Sequence, residues 1–247
     1  MDAMLRDRLG TRAVARMLRR QPVLVVPPGV TAAQVEGHAA RWSPDRDRRA
    51  KTVLTLGDVF EIHGPVGYTE ALWRRADLPP EFPHAYAVAL GPDAHLSPIS
   101  DWTRYDLVRG LARRLGGRCR VAPDKQWEDP NGQLACPLVV APRSLCANDA
   151  LGLLSPYFPG LQVGFQDEDG YWLDCDAWVM HTEVSTPAVF PLVRAQSWFA
   201  SAETIAEYEF GANDASPGPE QVEAAAQALA TATGGVLLDE NGFTWPI

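Results

Sequence analysis

Apolar positions in this chain form short runs of strand-like spacing separated by helical stretches, and the two kinds of segment recur in a similar order twice. Asp2 to Arg20 places Met4, Leu5, Leu9, Val14, Met17 and Leu18 at roughly helical spacing with arginines on the other face. This predicts an amphipathic helix, weakened near its middle by Gly10. Val23 to Val26, closed by Pro27-Pro28-Gly29, predicts a short buried strand. Thr31 and Gln34 form a capping box for a helix from Ala32 to about Trp42. Ser43 to Lys51 reads as a charged loop, Val53 to His63 as a strand or hairpin, and Gly64 to Pro83 as irregular with a helical turn near Thr69 to Arg75. Ala85 to Leu90 predicts a strand. Asp101 or Thr103 caps a helix with Leu107, Val108, Leu111 and Leu115 on one face, and Gly116-Gly117 ends it before a strand at Arg118 to Ala122.

Beyond the Pro123 to Cys136 connector the order returns. Leu138 to Ala141 predicts a strand, and Ser144 caps a helix from about Leu145 to Leu154. Leu161 to Phe165 and Tyr171 to Met180 predict strands around a hairpin turn at Asp167-Glu168-Asp169-Gly170. Ile205 to Phe210 predicts a strand, Pro219 to Thr233 a helix ended by Gly234-Gly235, and Val236 to Leu238 a last strand. The sharpest point of the repeat is Leu111-Ala112-x-x-x-Gly116-Gly117 against Leu229-Ala230-x-x-x-Gly234-Gly235. The expected fold is therefore α+β: two tandem βαββαβ, ferredoxin-like units with antiparallel sheets, at 22–123 and 136–247, preceded by a helix at 1–21.

Charge changes this picture by separating the halves. Residues 1–135 hold 20 Lys+Arg and 16 Asp+Glu, a net of +4, whereas residues 136–247 hold Arg143 and Arg194 against 15 acids, a net of −13. An acidic half repels nucleic acid and anionic membranes and attracts a cationic partner. No run approaches the ~20 apolar residues of a membrane span, and arginines interrupt any signal-like apolar core at the N-terminus. Four scattered cysteines with no Cys-x-x-Cys pair fit a reducing compartment. A cytoplasmic location is expected.

Candidate chemistry is sparse. No phosphate-cradling glycine loop precedes a helix, so nucleotide binding is disfavoured, and no cofactor is expected. Asp93 and His95, with His63 or His84, are the residues from which a metal site could be assembled, but no ligand spacing ties them to one element. Ordinary loop histidines are the favoured reading. Cys175 lies between acids, and Cys119 lies between Arg118 and Arg120 but on a strand, where it should face opposite to them, inward. No serine elbow or triad is present.

The acidic half also carries Trp172, Trp178, Trp198 and Trp245, and one of Tyr171 and Trp172 must point outward. These features favour a binding or inhibitory protein, acting as an immunity protein does on a nuclease-like toxin. Its expected contact residues for a basic protein partner are Asp167, Glu168, Asp169, Trp172, Asp174, Asp176 and Trp178. The alternative is an enzyme or small-molecule binder with a site between the repeats, drawing on His84, His95 and the irregular 64–83 segment.

Overall fold

The computed structural model describes residues 2–43, 46–50, 52–57, 59–91, 101–130, 136–168, 170–175, 178–185, 198–211, 218–239 and 241–244. The chain divides into two compact units, Met1–Gln133 and Leu134–Ile247. The architecture is α+β, with one antiparallel sheet in each unit.

Unit 1 runs α1 (Asp2–Arg20), β1 (Val23–Val26), α2 (Ala32–Trp42), β2 (Arg46–Ala50), β3 (Val53–Leu56), β4 (Phe60–Gly67), α3 (Glu70–Ala76), β5 (His84–Leu90), α4 (Asp101–Leu115) and β6 (Arg118–Arg120). Its sheet has the order β2-β3-β4-β5-β1-β6. Gly10 kinks α1, with φ of 69°. The α2 capping box is in place: the Gln34 amide donates to Thr31 Oγ1, and the Thr31 amide donates to Gln34 Oε1. Val14, Ala15 and Leu18 of α1 join Leu72, Trp73 and Ala76 of α3 over one sheet face, against Val23, Val25, Val66, Ala85 and Ala87. The helix preceding the first strand is thus packed into unit 1. On α4, Leu107, Val108 and Leu111 are fully buried and Leu115 nearly so.

Unit 2 runs β7 (Pro137–Ala141), α5 (Ala147–Leu154), β8 (Gln162–Gln166), β9 (Gly170–Cys175), β10 (Trp178–Ser185), β11 (Ile205–Phe210), α6 (Pro219–Thr233) and β12 (Val236–Asp239). Its sheet order is β12-β7-β11-β10-β9-β8. Adding six to each strand number of the first sheet reproduces the second. One face packs Val139, Ala141, Tyr171, Leu173, Met180, Tyr208 and Phe210 against Ala150 and Leu154 of α5 and Val222, Ala225 and Leu229 of α6.

Several sequence expectations need correction. The stretch read as a charged loop contains β2, an outer strand paired with β3, and outer strands tolerate charged residues. Tyr171 to Met180 is not one strand but the end of β9 and the start of β10. Ser144 does not cap α5. Its hydroxyl donates to Leu145 O and the Leu145 amide donates to the Tyr208 hydroxyl, so the helix starts later, behind Cys146. Asp101 is the first residue of α4, not its cap.

The Gly-Gly echo has one geometry in both units. Gly116 and Gly234 are left-handed, with φ of 62° and 69°. The next amides, of Gly117 and Gly235, each donate to an alanine carbonyl, Ala112 O and Ala230 O, at 2.8 Å. Each second glycine then passes against a central-strand carbonyl. A Cβ on Gly117 would collide with Val25 O, and one on Gly235 would sit 2.8 Å from Val140 O.

Candidate functional site

Strand alternation sends Trp172, Asp174, His181, Glu183, Glu207 and Glu209 to the sheet face of unit 2 that α5 and α6 do not cover. One row across the sheet reads Phe165, Trp172, His181, Glu209, and the next places Glu183 opposite Glu207. Trp172 stacks on His181 with ring centroids 4.6 Å apart. Phe165 is 57% exposed and Trp172 44%, and Glu183 and Glu209 are exposed beside them. At the other end of this face, Trp198 and Phe199 pack on Val140, Ile205 and Leu238. Glu207 lies between the two regions. Burial, then Glu209, then Glu183 push its carboxyl up to about 7.

The same position differs between the units. Val25 pairs with Ala85 in unit 1, and Val140 pairs with Glu207 in unit 2. Ala85 is fully buried beneath α1 and α3, whereas Glu207 is a carboxylate on a face that, among the described residues, only Trp198 and Phe199 cover.

The outer strands differ as well. On one side of each sheet a chain segment closes the edge: Cys119 bridges to Glu128 beside β6, and Leu238 bridges to Thr244 beside β12. The opposite edges are β2 and β8. Strand β2 carries Arg46, Asp47, Arg48 and Arg49. Strand β8 (QVGFQ) has no charged residue and no proline, and it is exposed at every position. Outer strands normally carry such features to deter pairing.

Of the residues expected to contact a partner, Trp172 and Asp174 lie on this face, with Asp174 half-buried against Gly164. Asp167 and Glu168 are exposed but sit in the β8–β9 turn, where the Asp167 amide donates to Gly170 O and the Gly170 amide donates to Asp167 Oδ1. Asp169, Asp176 and the side chain of Trp178 lie outside the described residues. His181, Glu183, Glu207 and Glu209 were missed. Their signal was the period-two spacing His-x-Glu and Glu-x-Glu inside strand patterns.

The histidines read as possible ligands do not converge. Register sets His63 opposite Ala87 and His84 opposite Gly67, and His63 Nε2 lies 2.9 Å from Glu61. His95 and Asp93 lie outside the described residues. Among the described residues no group of three or more His, Cys, Asp or Glu is arranged to hold a metal. Cys119 faces inward as expected. Burial first, then Glu128, push its thiol up to about 12, which opposes thiolate chemistry.

Arg120 corrects the expectation that both neighbours of Cys119 point outward, for it is only 4% exposed. Its guanidinium donates to Leu18 O at 3.0 Å, Ala76 O at 3.3 Å and Asp77 O at 3.4 Å, and lies 5.0 Å from the Trp127 ring centroid. It thereby satisfies carbonyls at the C-terminal ends of α1 and α3. Beside it opens a cavity of about 700 Å³ lined by Arg12, Arg16, Arg19, Arg20, Arg75 and Arg120. The sequence signal for it was the arginine spacing on α1.

Among the described residues no helix is long and apolar enough to cross a membrane. No protein-family model, curated protein or solved structure matches the chain.

Proposed function

We propose that this chain is a binding or inhibitory protein, a tandem of two ferredoxin-like units in which the second is specialised to engage a basic protein partner. One observation carries the reading: β8 is an outer strand exposed along its whole length, with no charge or proline to deter pairing. An extended segment of the partner would add to this edge through main-chain hydrogen bonds, the mode of strand addition. Its cationic side chains would lie over Phe165 and Trp172 with cation–π attraction, and Glu183 and Glu209, on strands further in, would attract them through their field rather than by contact.

Charge selects the partner. A second acidic unit would meet −13 with −13, so self-pairing of unit 2 is opposed, and a basic protein is attracted. The shared strand order and the twin Gly-Gly crossings support the tandem reading.

The test is calorimetric titration of the full chain with a short alternating Lys-Val peptide and its Glu-Val counterpart, at low and high salt. Binding of the Lys-Val peptide alone is expected, weakened by salt and by Phe165→Lys or Glu183→Lys with Glu209→Lys. Reversal of the exposed helix acids Asp149 and Glu220 is the control. Equal weakening by the control pair, or no binding of the Lys-Val peptide, overturns the proposal.

A further inference from the structure

Unit 1 contains a second candidate site, independent of the strand-addition reading. Arg12, Arg16, Arg19 and Arg20 fall at i, i+4, i+7 and i+8 of α1, hence on one helical face. Arg75 enters from the last turn of α3, and Arg120 from β6. With Ala15, Asp77 and Pro123 these residues line a cavity of about 700 Å³. Six guanidinium groups and one carboxylate leave a formal charge of +5 in a chain whose net charge is −9.

Helix ends account for part of this cluster. Arg19, Arg20 and Arg75 stand in the last turns of α1 and α3, where cations are favoured by the exposed carbonyls. Arg12 and Arg16 lie one to two turns earlier, and that argument does not reach them. Three other arginines of unit 1 are paired with carboxylates: Arg74 with Glu70, Arg109 with Glu128, Arg118 with Glu81. Among the described residues none of Arg12, Arg16, Arg19, Arg20 and Arg75 forms an ion pair, although all five are exposed, whereas the buried Arg120 pairs with Asp77. Arg120 is held rigidly by three carbonyls and the Trp127 ring, and its Nε is buried without a hydrogen-bond partner.

Six guanidinium groups lining one pocket favour an anionic ligand. Guanidinium forks grip phosphate oxygens in pairs, so this lining can replace the backbone amides of a phosphate loop, which the sequence lacks. The volume falls within the range of small-molecule pockets, and its concave, half-open form suits a compact ligand better than a strand that must track along a surface. We propose that this cavity is a binding site for a small anion carrying two or more phosphate groups, gripped by Arg12, Arg16, Arg19, Arg20 and Arg75 above the fixed floor of Arg120.

Calorimetry on the full chain tests it with inorganic phosphate, inorganic tripolyphosphate and a nucleoside triphosphate as probes. Tripolyphosphate should bind one to one and more tightly than phosphate. A nucleoside triphosphate that binds like tripolyphosphate places recognition in the phosphates, and tighter binding adds a base contact to the same site. Arg12→Gln with Arg16→Gln should weaken tripolyphosphate by about tenfold or more, as expected for two lost charge-assisted contacts. Both positions are exposed, and an unchanged melting temperature confirms that these variants fold. Arg143→Glu, in unit 2, should leave binding unchanged. No binding of tripolyphosphate, an equal loss in Arg143→Glu, or tighter binding of a short RNA or a glutamate-rich peptide overturns the proposal.

Discussion

Glu183 and Glu207 stand directly opposite each other on neighbouring strands of one sheet, with Glu209 two residues further along. Burial, then Glu209 and Glu183, raise the Glu207 carboxyl from an ordinary 4.5 to about 7. A raised carboxyl means that the folded chain keeps a proton which the unfolded chain has released. Between about 4.5 and about 7 the folded state therefore binds more protons, and stability falls as pH rises. The loss should total about 3 kcal/mol and level off above that window. Urea unfolding across the range should show this slope in the native chain and lose most of it in Glu207→Gln. An unchanged slope in that variant would show that Glu207 titrates normally.

This strain bears on the binding reading. Positive charge brought to this face favours the ionised form of Glu207 through its field, so capture of a basic partner and release of the Glu207 proton are linked. The covered counterpart in unit 1, where Ala85 takes the equivalent place, has no such group to titrate.

The two Gly-Gly pairs separate two reasons for needing glycine. Gly116 and Gly234 have left-handed φ and open space where a Cβ would go, whereas Gly117 and Gly235 run into Val25 O and Val140 O. Gly116→Ala and Gly234→Ala should each cost about 1 kcal/mol, the strain of a left-handed alanine. Gly117→Ala and Gly235→Ala should each cost more, about 3 kcal/mol, because a central strand must move. Denaturation midpoints of the four variants test this ordering. Equal losses within each pair would mean that the close crossing is easily relieved.

Legibility in the sequence followed the range of the interaction. Thr31 with Gln34, Pro219 at the start of α6 and the Gly-Gly stops act within a few residues, and each element they bound was readable. The Asp167–Gly170 turn is equally local. Strand β2 was hidden because its charges are tolerated only by its place at a sheet edge. The open face was half-read: Trp172 followed from alternation, but nothing local says which face α5 and α6 cover. Charge counting drew attention to Asp167 and Glu168, dense in sequence, while the carboxylates gathered in space sit on three strands.

Arg120 is the clearest case of a role set at long range, since its acceptors Leu18 O and Ala76 O lie 102 and 44 positions away. Burial lowers its pKa from the ordinary value, while Asp77 acts in the opposite direction. The group is stable as a cation because carbonyls at two helix ends, a carboxylate and an aromatic face surround it. Truncation takes this donor from the buried bonds to Leu18 O and Ala76 O, so Arg120→Ala should destabilise the chain by about 3 kcal/mol. Arg120→Lys should recover little of that loss, because one ammonium lacks the planar fork that spans three carbonyls and stacks on Trp127. Chemical denaturation followed by tryptophan fluorescence measures both. Near-native stability in Arg120→Lys would mean that charge alone, and not guanidinium geometry, joins α1 to α3 at the floor of the arginine cavity.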